Sequence, residues 1–189
     1  MLFTVKFRQK RTTTRRTLQK KRYVLKILII GAGGVGKTTL LRRFVEGIFT
    51  TDIKMTIGVE FFTKDMQVEN HECSLQLWDF GGQERFRFLL DSYVLGVKGT
   101  LLMFDLTRIA TLDPIQEWVE LLRKNNQELP ILLVGAKKDL EEKTSVDDNY
   151  VLQLNVTFHF IDYVKISSKT GENVNSAFEI LLRNILKID

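Results

Sequence analysis

An aliphatic run that ends in a glycine-rich loop constrains this chain more than any other feature. Residues 27–40 read ILIIGAGGVGKTTL, so four aliphatic residues lead into the pattern GxxxxGK[ST], which runs from Gly31 to Thr38. The pattern predicts a buried strand, a tight loop and the first turn of a helix. Glycines let backbone N–H groups approach phosphate oxygens, and the helix N-terminus adds unpaired donors. We expect Lys37 to reach the outer phosphates of a nucleotide and the Thr38 hydroxyl to bind Mg²⁺.

The length and composition fit one soluble domain with a full core. The chain has 189 residues, of which 44% are hydrophobic and 27% charged. Its one cysteine, Cys73, has no partner for an internal disulfide, so we expect a reducing compartment and a packing role for this side chain. No apolar run approaches the roughly 20 residues that a membrane-spanning helix needs.

Positive charge is concentrated at the start of the chain. Ten of the 28 basic residues lie in residues 1–26, which contain no acidic residue, so the other 18 basic residues stand against 23 acidic ones. We therefore predict a basic, disordered extension over residues 1–22 and a mildly acidic domain over residues 23–189. Its charge is compatible with binding to an anionic membrane surface or to nucleic acid, and of these two nucleic acid is the less favoured. Its composition is also that of an organelle transit peptide, of a solvated tail, or of sequence upstream of the true start.

Apolar runs alternate with amphipathic stretches through the rest of the chain. This alternation predicts an α/β fold with a mostly parallel sheet, helices on both faces and ligands at the carboxyl ends of the strands. Residues 69–72 read as a hairpin turn that includes His71, and Asp113 and Pro114 as a helix N-cap and first residue. The predicted strands are Tyr23–Ile30, Gly58–Val68, Cys73–Trp78, Thr100–Phe104, Ile131–Val134 and Tyr163–Ile166. The predicted helices are Lys37–Glu46, Glu84–Leu95, Pro114–Asn125, Val146–Leu154 and Asn173–Leu186.

Two further motifs are expected at the same edge of the sheet. The third strand runs into LWDFGGQE, which ends at Glu84, so Asp79 stands where a carboxylate can hold Mg²⁺ through water. The glycines that follow let Gly82 approach a γ-phosphate, and Gln83 comes next. Between the two motifs, Thr56 lies in a polar loop, where it can offer a hydroxyl and a backbone carbonyl to the metal and the γ-phosphate.

With these motifs in order, the chain resembles the small GTPases of the Ras superfamily, and among them the Rab branch. The resemblance covers about residues 23–187. It rests on TIGVEFF from Thr56, on LQLWDFGGQERFR from Leu75 and on SSKTGENV from Ser167. It implies the three-layer P-loop NTPase fold of a Ras-like G domain, with six strands of which one is antiparallel. It also implies a molecular switch that binds GTP or GDP with Mg²⁺ and hydrolyses GTP slowly without an activating protein.

The resemblance also implies a role for individual residues. Gln83 would orient the attacking water, Phe49 would stack on the purine, and Asp139 would read the base. Catalysis would rest on Gln83, Lys37 and Thr56, and the metal would be held by Thr38, Thr56 and Asp79. The implied nucleotide-binding residues are Gly31, Gly33, Gly34, Val35, Gly36, Lys37, Thr38, Thr39, Phe49, Thr56, Gly82, Lys137, Asp139, Ser167, Ser168 and Lys169. Effectors, exchange factors and GTPase-activating proteins would bind the two segments near the γ-phosphate, called switch regions.

The chain departs from the family pattern in two ways. Where the family has NKxD, this chain has AKKD from Ala136 to Asp139. In the family, the amide of that Asn connects this loop to the phosphate-binding loop, and here it is missing, so we expect the affinity for the nucleotide to fall. Because Asp139 is still present to read the base, we expect the preference for guanine to survive. The C-terminal sequence also lacks the prenylated cysteines of Rab proteins, so we expect a cytoplasmic protein without a C-terminal lipid anchor, held at a membrane surface, if at all, by its basic extension.

Two other functions stay open at the level of sequence. Ala136 is compatible with a nucleotide-binding scaffold that hydrolyses little GTP. The GxxxxGK[ST] pattern by itself also occurs in ATP-using kinases and ATPases, although a carboxylate at Asp139 argues against adenine.

Overall fold

A six-stranded sheet organises the described part of the chain. The computed structural model describes residues 21–51, 55–82, 90–124 and 126–188. The strands are β1 Lys21–Gly31, β2 Val59–Val68, β3 His71–Phe80, β4 Gly99–Asp105, β5 Ile131–Ala136 and β6 Asp162–Lys165. Strand β2 pairs antiparallel with β3, and all the other neighbouring strands are parallel, in the order β2-β3-β1-β4-β5-β6. This arrangement confirms the predicted fold.

Helices cover both faces of the sheet. Residues on β1 alternate between two apolar clusters, as the twofold period of a strand requires: Ile27 and Ile29 face one cluster, and Leu28 and Ile30 face the other. The helices are α1 Lys37–Glu46, α2 Leu90–Tyr93, α3 Ile115–Arg123, α4 Asp148–Thr157 and α5 Val174–Leu186. Helices α1 and α5 pack into the first cluster, and α2, α3 and α4 pack into the second. Short 3₁₀ segments span Ile109–Thr111 and Lys138–Lys143.

Several predicted element ends differ from the structure by one to three residues, the largest difference being the end of α4, which was predicted at Leu154 and lies at Thr157. Three of these differences have a clear local cause. His71 is the first residue of β3, paired with Val68, because the hairpin turns over the two residues before it. Helix α3 begins at Ile115 with Pro114 at its N-cap, so Asp113 does not cap it. Helix α4 begins at Asp148, two residues later than predicted, because the Asp147 side chain accepts a hydrogen bond from the Tyr150 N–H at 3.1 Å and fixes the start there.

Some predictions concern residues outside the described ranges. Residues 1–20 of the basic extension lie outside them, as do Gln83 and the first six residues of the predicted helix Glu84–Leu95. The prediction that the extension runs to residue 22 was wrong, because Lys21 and Arg22 are the first residues of β1. Among the helices that the structure describes, none combines the length and the apolar composition needed to cross a bilayer.

Candidate functional site

The loop between β1 and α1, called the P-loop here (residues 31–38), presents backbone donors at the carboxyl edge of the sheet. Gly36 has φ 104°, which favours glycine, and its carbonyl accepts the first helical hydrogen bond from the Leu40 N–H at 2.8 Å. The N–H groups of the first helical residues therefore have no partner within the helix. Together with the helix dipole, they form a site suited to phosphate.

The Lys37 side chain folds back against the backbone of the P-loop. The side chain is buried, and its ammonium group donates to the carbonyl oxygens of Gly31 and Ala32, both at 2.9 Å. Burial lowers the pKa of Lys37 to about 8, although the nearby charge of Asp79 acts in the opposite direction. The result is a desolvated cation beside the backbone donors.

Three oxygen-bearing side chains meet where β3 ends. The Thr38 hydroxyl donates to Oδ2 of Asp79 at 2.5 Å, and the Thr56 hydroxyl lies 2.7 Å from the same Thr38 oxygen. Because the single proton of Thr38 is directed at Asp79, Thr56 is the donor to Thr38 in this arrangement. The contact brings the loop that contains Thr56 to the end of β3.

Asp79 has the properties of a ligand for a hard cation. Its side chain is fully buried, and its Oδ1 atom has no hydrogen-bond partner among the described residues. Burial raises the pKa of Asp79, while the hydrogen bond from Thr38 and the charge of Lys37 oppose that rise. A carboxylate oxygen without a partner, next to two hydroxyls, fits Mg²⁺, which prefers oxygen ligands. Among the described residues, no group of three or more His, Cys, Asp or Glu side chains is arranged so that it could hold a metal ion.

The loop that follows β5 holds Asp139 in a fixed orientation. The buried Ser167 hydroxyl donates to Oδ1 of Asp139 at 2.7 Å and itself accepts from the Thr170 N–H at 3.1 Å. The Lys138 N–H also donates to the Ile166 carbonyl at 2.9 Å, which joins this loop to the segment after β6. Asp139 therefore presents a positioned carboxylate to the space above the sheet.

The segments near the predicted γ-phosphate position pack closely on one another. The Gly81 N–H donates to the Gly58 carbonyl at 2.8 Å, which connects the loop containing Thr56 to the end of β3. A Cβ atom on Gly82 would lie 2.7 Å from the Ala32 carbonyl oxygen and closer still to that of Gly31. Glycine is therefore required for Gly82 to lie against the P-loop.

These elements enclose a pocket of about 410 Å³, a volume in the range of small-molecule sites. The predicted residues that line it are Gly33, Gly34, Val35, Gly36, Lys37, Thr38, Thr39, Phe49, Thr56, Gly82, Lys137, Asp139, Ser168 and Lys169. Three predicted residues lie behind the pocket-lining residues and each contact one of them. The Gly31 carbonyl accepts from Lys37, and the Ser167 hydroxyl donates to Asp139. The Asp79 carboxylate accepts from the Thr38 hydroxyl. Gln83 lies outside the described residues.

Other residues of the site were not predicted from the sequence. The pocket is also lined by Thr50, Thr51, Met55 and Leu140. Behind it, Asp105 at the end of β4 accepts hydrogen bonds from Lys137 at 2.6 Å and from Arg108 at 2.8 Å. Asp105 follows a predicted buried strand, so the rule that identified Asp79, an acidic residue at the carboxyl end of a strand, would also have identified it.

Comparison with known proteins gives one family and many relatives. The family model described as "Ras family" matches residues 26–187. The chain is 35% identical over 177 residues to "Ras-related protein Rab-11A" of Dictyostelium discoideum, which covers 93% of this chain and 82% of the relative. It is 36% identical over 167 residues to "Ras-related protein YPTC6" of Chlamydomonas reinhardtii, covering 88% and 77%. It is also 36% identical over 165 residues to "Ras-related protein Rab-13" of Canis lupus familiaris, covering 87% and 81%. The matched range contains every residue that lines the pocket.

Proposed function

Because the chain belongs to the Ras family of small GTPases, we propose that it is a switch that binds GTP or GDP with Mg²⁺ and hydrolyses GTP slowly. One observation carries this proposal. A single pocket unites backbone donors at a helix N-terminus, the buried cation of Lys37, the oxygen cluster of Thr38 and a carboxylate, Asp139, at the far end. The first three suit a polyphosphate with its metal, and the last suits a base with adjacent N–H donors.

The phosphates would be bound by the P-loop amides and by Lys37. The Thr38 hydroxyl, the Asp79 carboxylate and Thr56 would hold Mg²⁺, with Asp79 acting through water. Bound there, Mg²⁺ supplies positive charge that offsets the charge on the phosphate oxygens during transfer. Support for this assignment comes from the Asp79 oxygen that lacks a partner and from the position of both hydroxyls beside it.

Recognition of the base would depend on Asp139. An ionised carboxylate accepts hydrogen bonds from the ring N–H and the amino group of guanine, and adenine offers no matching pair of donors. The hydrogen bond from Ser167 would keep the Asp139 carboxylate oriented before the nucleotide arrives. Phe49 would stack on the purine, with Lys137, Ser168 and Lys169 around the base and ribose.

Switching would follow from the two segments that contain Thr56 and Gly82. Both line the same end of the pocket, so loss of the γ-phosphate would release both from it. Effectors, exchange factors and GTPase-activating proteins would recognise these segments. Gln83 would orient the attacking water, and a partner protein would accelerate hydrolysis by roughly 10³- to 10⁵-fold.

Ala136 favours a second candidate, a nucleotide-binding scaffold with little hydrolysis. Its methyl group lines the pocket and offers no hydrogen bond where the family pattern has an amide. Weaker fixation of the nucleotide would lower the rate of chemistry as well as the affinity. Phosphate release in a single turnover distinguishes the two, because the scaffold predicts bound GTP that stays intact.

Titration with fluorescent GDP, followed by competition with GDP, XDP and ADP, tests the proposed function. We expect saturable binding that requires Mg²⁺ for full affinity, displacement by GDP at the lowest concentration, and little displacement by ADP. Equal displacement by ADP would refute guanine recognition and favour the ATP-using alternative. The absence of any binding would refute the nucleotide switch altogether.

We also propose that the basic extension holds the protein at an anionic membrane surface. Each Lys or Arg near such a surface contributes about 1 kcal/mol, and residues 1–22 contain nine of them, seven of which precede the start of β1 at Lys21. Co-sedimentation with vesicles that contain phosphatidylserine should therefore be strong for the full chain and weak for the chain without residues 1–20. Equal sedimentation of both proteins would refute this role, and binding to neutral vesicles would point to a contact that is not electrostatic.

A further inference from the structure

Arg108 connects the P-loop to Asp105 at the end of β4, a contact that none of the sequence motifs indicates. It lies three residues after Asp105, beyond the end of β4. Its Nε atom donates to Oδ2 of Asp105 at 2.8 Å, and its Nη2 atom donates to the Gly33 carbonyl oxygen of the P-loop at 3.3 Å. A Cβ atom on Gly34 would lie 3.5 Å from the same Nη2 atom, so the guanidinium group follows the P-loop backbone over two residues.

The other end of this connection is fixed. Asp105 is fully buried, and its Oδ1 atom accepts from both the N–H and the hydroxyl of Thr107, at 2.9 and 2.7 Å. Its Oδ2 atom is shared by Arg108 and Lys137. Although burial opposes ionisation, these hydrogen bonds hold the pKa of Asp105 below its usual range. Asp105 is thus an ionised, fully paired anchor between two cations.

A series of hydrogen bonds behind the pocket connects two of its walls. It runs from the Gly33 carbonyl through Arg108 and Asp105 to Lys137, which lines the pocket two residues before Asp139. The residue before Lys137 is Ala136, which lines the same pocket and has no side-chain donor for the P-loop. In the sequence pattern that this chain resembles, an Asn at this position makes that connection.

We propose that Arg108 is a positioning residue that holds the P-loop against the loop of Lys137 and Asp139, in place of the absent amide, and thereby slows nucleotide release. This inference rests on the proposed function, because the quantity it affects is the dissociation of a guanine nucleotide. Arg108 contacts the P-loop backbone and the Asp105 anchor and is not among the residues that line the pocket, so its effect would be on the geometry of the pocket.

The test is a double-mutant cycle between Arg108→Ala and Ala136→Asn, with the release rate of fluorescent GDP as the readout. Loss of one hydrogen bond of this kind should accelerate release by roughly 2- to 10-fold in Arg108→Ala. In the Ala136→Asn background, where the amide is restored, the same substitution should accelerate release by less than about 2-fold. A purely structural role for Arg108 would give the same factor in both backgrounds.

Two controls make the outcome decisive. Lys98→Ala removes a positive charge from an exposed position just before β4 and should leave the release rate unchanged. Because the Arg108 side chain is 47% exposed, we expect Arg108→Ala to fold. If it does not, Arg108→Lys keeps a cation beside Asp105 but lacks the planar fork that reaches the Gly33 carbonyl, and should show the same cycle.

The results separate this inference from the proposed function. Unchanged release in Arg108→Ala, or equal acceleration with and without Ala136→Asn, would overturn the role given to Arg108 while leaving nucleotide binding intact. Failure of the unmodified protein to bind fluorescent GDP would overturn the proposed function itself, and the inference with it.

Discussion

Replacing Lys37 with methionine tests how far the buried ammonium group destabilises the protein when no nucleotide is bound. Methionine keeps a long, unbranched apolar side chain and removes the charge. Lys37 is 6% exposed, and among the described residues its ammonium group donates to the backbone carbonyls of Gly31 and Ala32. These two hydrogen bonds compensate part of the free-energy cost of desolvating the ammonium group. The uncompensated part of that cost lowers the pKa of Lys37.

The magnitude follows from the difference between the folded and unfolded pKa. The pKa of Lys37 falls from 10.5 to about 8, so between these values the unfolded chain holds more protons than the folded one. The free energy of unfolding must then rise with pH, by up to about 1.4 kcal/mol per pH unit. From pH 8 to pH 9.5 this single group should add about 2 kcal/mol to stability, and below pH 8 its contribution is a constant destabilisation of about 3 kcal/mol.

Urea unfolding of nucleotide-free protein in EDTA, at pH 7.0, 8.0, 9.0 and 9.5, measures the effect. The difference in stability between Lys37→Met and the unmodified protein should shift by about 2 kcal/mol in favour of the unmodified protein between pH 8 and 9.5. Burial also raises the pKa of the Cys73 thiol, which lowers stability at alkaline pH, but this change is common to both proteins and cancels in the difference. Lys98→Met, an exposed matched control, should keep the alkaline rise. A constant difference between Lys37→Met and the unmodified protein across this range would refute the reasoning.

Three further substitutions give separate outcomes. Gly82→Ala should displace its segment from the P-loop, since the new Cβ would lie 2.7 Å from the Ala32 carbonyl oxygen; we expect single-turnover GTP hydrolysis to fall by about 10²-fold while GDP affinity changes little. Asp139→Asn should weaken GDP binding by at least about 10-fold and favour XDP in the same competition assay, because the charged acceptor is lost; unchanged preference for GDP would contradict the role of Asp139. Gln83→Leu should leave GTP bound and intact, as measured by phosphate release, and hydrolysis at the unmodified rate would remove Gln83 from the mechanism.

The fold was predictable because its signals are local and agree with one another. Aliphatic runs at Ile27 and Ile131 indicate strands buried on both faces, which is the pattern of a parallel sheet. The polar turn before His71 indicates the hairpin that makes β2 antiparallel. Boundaries were less certain because capping decides them: whether Asp113 or Pro114 caps α3 depends on φ and ψ angles that the composition of the turn does not fix.

The site was predictable where a motif has a fixed spacing, as it does for Lys37, Thr38 and Asp79. Arg108 could not be found in this way. Its hydrogen bond to the Gly33 carbonyl joins residues 75 positions apart and depends on the turn after β4 as well as on the P-loop. Ser167 was predicted to bind the nucleotide, but the structure shows it behind Asp139, a distinction that depends on which side chain is buried and not on the order of residues.

Burial shifts the pKa values of Lys37 and Asp79 in opposite directions, and these shifts bear on the kind of ligand that would suit the site. Burial lowers the pKa of Lys37 and raises that of Asp79, so each charged form is under-solvated, and their mutual attraction offsets only part of that. An anion alone would satisfy Lys37 and worsen the environment of Asp79, and a cation alone would do the reverse. A phosphate chain with a bound metal brings both charges at once, and the Thr38 hydroxyl stands between them with a hydrogen bond to Asp79. These opposite shifts support the proposed binding of a metal–nucleotide complex rather than of either component alone. Binding of such a complex would restore the stability that the two under-solvated charges cost the nucleotide-free protein.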